Sequence, residues 1–339
     1  MIDSFLENLT DDGTEIRDTS LTLHEEFPTV IDNTMISCYR SCERKWWLEF
    51  IYGLRPVYPS IHLHAGGTYA RGLEDLRKAY YGQGMTLSES LHMAFIGATE
   101  EWGDKEWPTD SPKSFARIIE ALASYTLEYP LDTDLLKPHM TALGPSVEFT
   151  FAIPIPDTSH PITGEPLLYG GRFDMLANYR DEMLVVHDDK TCSQLGAQWA
   201  KQWRLRSQFT GYMWAAKQYG FDVAASTVRG CCLLKNSIKF GDAITYRPQW
   251  MIDEWLEGLI VTAKQMTEKW ERGQGVDKGF QKQLADSCSS YGGCSYVDLC
   301  DKEDWRQWTD GNYIETRWNP TAKDPEVHVK GDKADGTSS

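Results

Sequence analysis

The stretch from residue 146 to residue 190 constrains this chain more than any other, because it holds three strand-like runs in close succession. In 146–155 (SVEFTFAIPI), Val147, Phe149, Phe151, Ile153 and Ile155 alternate onto one face, which leaves Glu148 on the other with Thr150 and Ala152. After a Pro/Gly-rich connection, Leu168–Tyr179 (LYGGRFDMLANY) carries paired glycines that predict a bulge or a close backbone approach just before Asp174. The run 182–191 (EMLVVHDDKT) sets Asp188 and Lys190 two residues apart, on one face. If the three runs are neighbouring strands, Glu148, Asp174, Asp188 and Lys190 meet at one end of a sheet.

That combination suits phosphodiester hydrolysis. Mg²⁺ and Mn²⁺ are hard cations held by carboxylate oxygens, with positions left open for water and a phosphate oxygen. A neighbouring lysine orients the attacking water and offsets charge developing on the phosphoryl group. An acid-x-Lys pair alone reads equally as an ion pair on a solvated edge. The full order of Glu, Gly-Arg-Phe-Asp, an apolar run and Asp-Asp-Lys-Thr is much rarer by chance.

GRFDML followed by LVVHDDKT resembles the core of the PD-(D/E)XK nuclease superfamily in its RecB-like branch, and Gln208 and Tyr212 in SQFTGYMWAA are similar to that branch's Gln-x-x-x-Tyr motif. Their i, i+4 spacing puts both on one helical face. Tyr212 also fits an apolar stripe with Leu205, Phe209, Ala216 and Tyr219, whereas Gln208 has no such explanation. The resemblance implies an α/β restriction-endonuclease-like core, a central mixed sheet flanked by helices. It also implies Mg²⁺ or Mn²⁺ on Glu148, Asp174 and Asp188, with Lys190, Gln208 and Tyr212 completing the catalytic set. Lys201, Arg204 and Arg206, ahead of Gln208 on a helix expected over 194–220, are the best phosphate-binding candidates.

A net charge of −16 opposes non-specific binding of nucleic acid over the whole surface. Its distribution weakens that objection. Residues 1–34 carry nine acids and only Arg17, residues 301–339 carry nine acids and six bases, and the body between them keeps only −5. There is no apolar run of about 18 residues, and the first residues are acidic where a signal peptide would be basic and then apolar. A cytoplasmic protein of a bacterial cell or phage-infected host, without a membrane partner, is expected. Residues 1–33 read as an acidic flexible arm, 34–300 as one nuclease domain and 301–339 as a polar, largely disordered tail.

Within the domain, TMISCYRSCERKWWLEFIYGLRP places Tyr39, Cys42, Trp46 and Ile51 near one helical face. In 66–81, Tyr69, Leu73, Leu76 and Tyr80 have core-helix spacing, and Arg71 stands where many RecB-like nucleases have a histidine metal ligand. His62, His64 and Glu74 lie nearby, and spacing selects none of them. A helical insertion follows: 86–103, then a helix capped by Ser111 with Pro112 at its first position and Phe115, Ile118, Leu122 and Tyr125 inward. Lys113 and Arg117 there read as solvating charges or as phosphate contacts. A strand over 224–235 hides Cys231 and Cys232 as small buried residues, and 247–272 reads as a helix opened by Pro248 with Trp255, Leu259, Ala263, Met266 and Trp270 facing inward.

Cys288, Cys294 and Cys300 recur with five residues between neighbours, in a loop around Gly292 and Gly293. Three thiolates need a fourth ligand, and Cys42 is preferred over Cys38. Spacing alone allows zinc. The iron–sulfur branch of RecB-like nucleases, similar to CRISPR-associated RecB-type and phage exonucleases, places one cysteine before the core and three after it, which implies a 4Fe-4S cluster stapling the chain's two ends. The expected activity is metal-dependent DNA cleavage, from single- or double-stranded ends, in recombination, repair or phage and mobile-element DNA processing, beside recombination or replication proteins. Two alternatives stay open: a catalytically weak DNA-binding scaffold of the same fold and an RNA-directed nuclease.

Overall fold

The computed structural model describes residues 27–57, 60–104, 107, 111–273, 279–289, 293–321 and 328–329. Most of the expected acidic arm (1–26) and the end of the expected tail (322–327 and 330–339) lie outside the described residues.

The centre is an eight-stranded mixed sheet. Its strands are β1 (Val30–Ile31), β2 (Leu136–Pro138), β3 (Val147–Pro154), β4 (Leu168–Tyr179), β5 (Met183–Cys192), β6 (Ala225–Leu233), β7 (Ile238–Tyr246) and β8 (His328–Val329). They run in the order β7-β6-β5-β4-β3-β8, with β1 and β2 flanking the two ends of β4. The three runs singled out above are β3, β4 and β5. β3 and β5 are antiparallel to β4, and β6 is parallel to β5, as a helical crossover requires.

Helices cover both faces: α1 (Asn33–Ser41), α2 (Glu43–Trp46), α3 (Ile61–Arg77), α4 (Leu87–Trp102), α5 (Phe115–Glu128), α6 (Ala197–Lys201), α7 (Ser207–Gln218), α8 (Gln249–Gly273) and α9 (Val297–Cys300). The larger core joins Met35, Trp46, Phe209 and Leu259 from the helices to Phe151, Phe173 and Val186 of the sheet. A second core packs α3, α4 and α5 through Leu73, Ala94 and Leu122 onto Cys231 and Leu233. The inward face expected of 247–272 is present, with Leu259, Ala263 and Met266 buried.

Several expected boundaries move, each for a local reason. α5 starts at Phe115 with Ser114 as N-cap; the Ser111 hydroxyl instead accepts the Lys113 N–H at 3.1 Å in a preceding turn. The helix expected over 194–220 is two helices, α6 and α7, joined by a turn that contains Arg204 and Leu205. Leu205, expected in the apolar stripe, is therefore 78% exposed. The arm and tail are also shorter than expected. Phe27 and Ile31 are buried beside β4, and in 301–321 Trp305 is buried while Tyr313–Glu315 pairs with Leu54–Pro56. A few aromatic anchors hold these polar segments down, which average composition does not register.

The paired glycines of β4 answer to a close approach. A Cβ on Gly170 would lie 2.3 Å from Val30 Cγ1 of β1, and one on Gly171 would lie 2.7 Å from Phe151 Cζ. Gly170→Ala is expected to push β1 off the sheet and cost about 1–3 kcal/mol, read as a lower urea midpoint at unchanged m-value.

Candidate active site

Strands β4 and β5 form a fork. Their pairing runs from Tyr179–Met183 to Met175–His187 and stops there, after which β5 continues beside β6 alone. Asp174 and Asp188 are the first residues past the last pair. The fork is held from inside, because Asp174 Oδ2 accepts the Asp189 N–H at 2.7 Å. On the other side of β4, Glu148 falls between the Val147–Met175 and Phe149–Phe173 pairs and so stands across from Asp174. Three carboxylates thus share one level on three successive strands.

Simple alternation does not describe this level. Phe173 and Leu176 belong to the same core although they are three residues apart, while Met175 and Ala177 face a separate small cluster. β4 therefore changes phase at Asp174. On β3 the matching break is Glu148, whose φ of 58° is left-handed, a conformation costing about 1 kcal/mol or more for a residue with a Cβ. Glu148 accordingly does not continue the face of Thr150 and Ala152 as its sequence pattern suggested.

The charges are compensated pairwise. Arg172 Nε contacts Glu148 Oε2 at 2.5 Å, and Lys190 Nζ contacts Asp188 Oδ2. The Gln208 side-chain amide donates to Asp188 Oδ1 at 3.4 Å and to the Tyr212 hydroxyl at 2.9 Å, so the i, i+4 pair on α7 reaches the fork as one unit. Compensation is incomplete. Burial and then the neighbouring Asp188 push the Asp174 carboxyl up to about 7, and burial followed by Asp174 raises Glu148 well above the usual carboxylate range. Burial also raises Asp188, against the pull of Lys190. Lys190 stays charged: burial would pull it down, but Asp188 and Asp174 more than offset that.

Among the described residues no group of three His, Cys, Asp or Glu side chains is already arranged to hold a metal ion. The donor chemistry nevertheless fits a hard divalent ion. Glu148 Oε2 and Asp188 Oδ2 are buried without a hydrogen bond and are balanced only by the ion-pair contacts of Arg172 and Lys190.

Other residues of the sequence reading fall as follows. Lys201, Arg204 and Arg206 are all exposed, and of the three Arg206 acts electrostatically on Asp188. Arg71, in the place of the family histidine, points to Asp75 and Glu100 on the α4 side. His64 Nε2 donates to the Trp102 carbonyl at 3.1 Å, and its ring stacks on Trp107. Lys113 is buried, and Arg117 is engaged by Glu120 and by the Leu234 carbonyl at 2.8 Å, so neither is presented to a phosphate. Cys42, Cys288, Cys294 and Cys300 line one small cavity of about 50 Å³. Cys42 sits at the break between α1 and α2 with an extended backbone (φ −162°), which turns it out of the helical path.

Three contributors were not selected from the sequence. Arg172, two residues before Asp174, had a legible signal in the period of β4. Glu74, one turn after Arg71 on α3, acts on Glu148 through space. The third is a buried chain beneath the fork. Asp189 Oδ2 pairs with Arg77 at 2.7 Å, Arg77 donates to the Tyr125 hydroxyl at 2.8 Å, and His187 Nε2 lies 3.3 Å from the same carboxylate. Burial would raise Asp189, but Arg77 and His187 hold it far below the usual range.

A mixed sheet covered by helices, with acids and a lysine at a strand fork, defines the nuclease class to which this architecture corresponds. The chain belongs to the PD-(D/E)XK nuclease superfamily, whose family model matches residues 33–301. Among solved structures it is similar to one described as a "putative exonuclease" from Eubacterium rectale, with 12% identity, 83% of this chain and 92% of that one covered and a TM-score of 0.41. It is also similar to SSO0001, with 12% identity, 60% and 78% covered and a TM-score of 0.26. No curated protein matches the chain. Among the described residues no helix is long and apolar enough to cross a membrane.

The raised Asp174 carboxyl sets a pH dependence. Its folded value lies above its unfolded one, so the native state binds the proton more tightly and stability falls as pH rises from about 4 to about 7. Asp189 has the opposite sign: its contribution is present above the unfolded value near 4 and is lost as the pH falls below it. In metal-free protein, Asp174→Asn is expected to raise stability at pH 8 by on the order of 1–2 kcal/mol and to flatten the slope between pH 4 and 7. Thermal melts across that range check both signs.

Proposed function

We propose that the fork is the catalytic centre of a metal-dependent DNA nuclease of the RecB-like branch, acting from ends. The observation that carries this reading is the convergence of Glu148, Asp174 and Asp188 at one level with Lys190 beside them. Glu148, Asp174 and Asp188 would hold Mg²⁺ or Mn²⁺, and the bound ion supplies polarisation of a phosphate oxygen and acidification of water. Lys190 then leaves the Asp188 carboxylate and donates to the attacking water or to a non-bridging oxygen. Gln208 orients Asp188, Tyr212 fixes Gln208, and Arg206 meets the adjoining phosphate. Backbone contacts of this kind carry no base information, so cleavage is independent of sequence.

The same reading assigns a 4Fe-4S cluster to Cys42, Cys288, Cys294 and Cys300. The support is their common cavity and the stitching around it. Arg44 N–H donates to the Gln281 carbonyl at 3.1 Å, and the Tyr296 hydroxyl donates to the Leu54 carbonyl at 2.8 Å, joining segments far apart in the chain. The group serves as a staple; tetrahedral zinc would do so with the same four thiolates.

End-labelled linear and closed circular DNA, incubated with Mg²⁺, Mn²⁺ or chelator, tests the activity. Linear DNA should be degraded only with metal, and Asp188→Ala or Lys190→Ala should lower the rate about 100-fold or more without unfolding the protein. Asp188→Ala cleaving like the native chain would remove the assignment. Anaerobically purified protein should be brown with about four iron atoms per chain, and Cys42→Ser should lose them; a colourless protein with stoichiometric zinc would move the site to the zinc class.

A further inference from the structure

The largest cleft in this region, about 1030 Å³, opens from Gln208 and Tyr212 toward the cysteine-bearing end of the molecule. Five cationic side chains line it, Lys45, Arg55, Arg172, Arg206 and Arg317, against the carboxylates of Asp32 and Glu49. On a chain of net charge −16, this cleft carries a local excess of cations and reaches Arg172 and Gln208, which contact the acids of the fork. One wall of the cleft is Thr316–Thr321, a segment beyond the end of the family match at residue 301. Two contacts fix that wall. Trp318 Nε1 donates to Asp32 Oδ2 at 2.9 Å, and the Arg55 guanidinium lies 4.7 Å from the centre of the Trp318 ring. Stacked in this way, Arg55 is a planar cation held in place, a platform for a base face or a phosphate. Two polar groups of lining residues, Arg55 Nε and Thr150 Oγ1, are buried without a hydrogen-bond partner.

We infer that this cleft is a binding site for a single strand of nucleic acid, with Arg55 on Trp318 as its stacking platform and residues 316–321 as the wall that retains it. The inference rests on the nuclease reading for the direction of the strand, which enters along the cleft and reaches the fork past Gln208. Size selects the occupant: the volume is at the upper end of the range for drug-sized ligands, about 300–1,000 Å³, and admits a few nucleotides of one strand but no duplex. Charge and aromatic placement agree, since single strands are held by a basic groove plus stacking. Asp32 and Glu49 limit the affinity. Asp32 is occupied as the α1 N-cap, accepting the Met35 N–H at 2.7 Å, and Glu49 lies between Lys45 and Arg55.

The test is fluorescence anisotropy of the full chain with a labelled oligothymidylate and with a blunt hairpin duplex, in chelator so that nothing is cleaved, across a salt series. The single strand should bind at least tenfold more tightly than the duplex. Arg55→Gln should weaken it about tenfold, and each of Arg55→Gln and Lys45→Gln should reduce the salt slope by about 0.7. Trp318→Ala should match Arg55→Gln; if it unfolds, Trp318→Phe, which keeps a ring under Arg55, should retain binding. Preference for the duplex, or unchanged affinity and slope in Arg55→Gln and Lys45→Gln, would overturn the inference. A chain that cleaves nothing yet loses the single strand in these variants would overturn the nuclease reading and leave the cleft assignment standing.

Discussion

The Asp189 residue ties the site to the fold in two directions. Its N–H holds the Asp174 carboxylate across the fork, and its own carboxylate is clamped from below by Arg77 of α3. A buried ion pair costs several kcal/mol of desolvation per ion and is stable only when its geometry and remaining hydrogen bonds are good. Here Tyr125 and His187 supply those bonds, and the chain continues to Arg229, which pairs bidentately with Asp134 and donates to Tyr125. The neighbouring residue, Asp188, faces the opposite side with Lys190. Adjacent acids on one strand therefore sit in opposite electrostatic settings: Asp189 is locked into the scaffold as an anion, and Asp188 is left under-compensated.

That division explains the electrostatic asymmetry of the molecule. Beneath the sheet, Arg77 and His187 hold the Asp189 carboxyl far below the usual range; above it, Glu148, Asp174 and Asp188 are raised by burial and by their neighbouring acids. The unfavourable level is maintained by the rest of the fold, through the left-handed Glu148 backbone and the interrupted ladder. A cation placed there would relieve the repulsion among those acids.

Much of this was legible in the sequence. Period two marked β3, β4 and β5 to within a residue or two, and the acid–lysine order marked the stretch that holds the fork. Four features were not legible, each for a physical reason. Alternation assumes one phase per strand, so the change at Asp174 and Glu148 was invisible. The break between α6 and α7 was masked because Leu205 and the bases around it suit a helix locally, while the structure puts them in a turn. The partnership of Arg77 with Asp189 joins distant parts of the chain, and neither residue's neighbours signal it. The return of 301–321 was missed because three aromatic contacts, not average polarity, decide where that segment rests.

The strand between Tyr313 and Glu315, hydrogen-bonded to Leu54–Pro56, has a consequence for the order in which the molecule is built. Synthesis runs from the amino end, so strands β1–β7, the fork and its acids are made before the last wall of the cleft. Closing that wall is a contact between segments far apart in the chain, slow in loop-closure terms. A nascent chain therefore carries Glu148, Asp174 and Asp188 before it carries the residues of that wall.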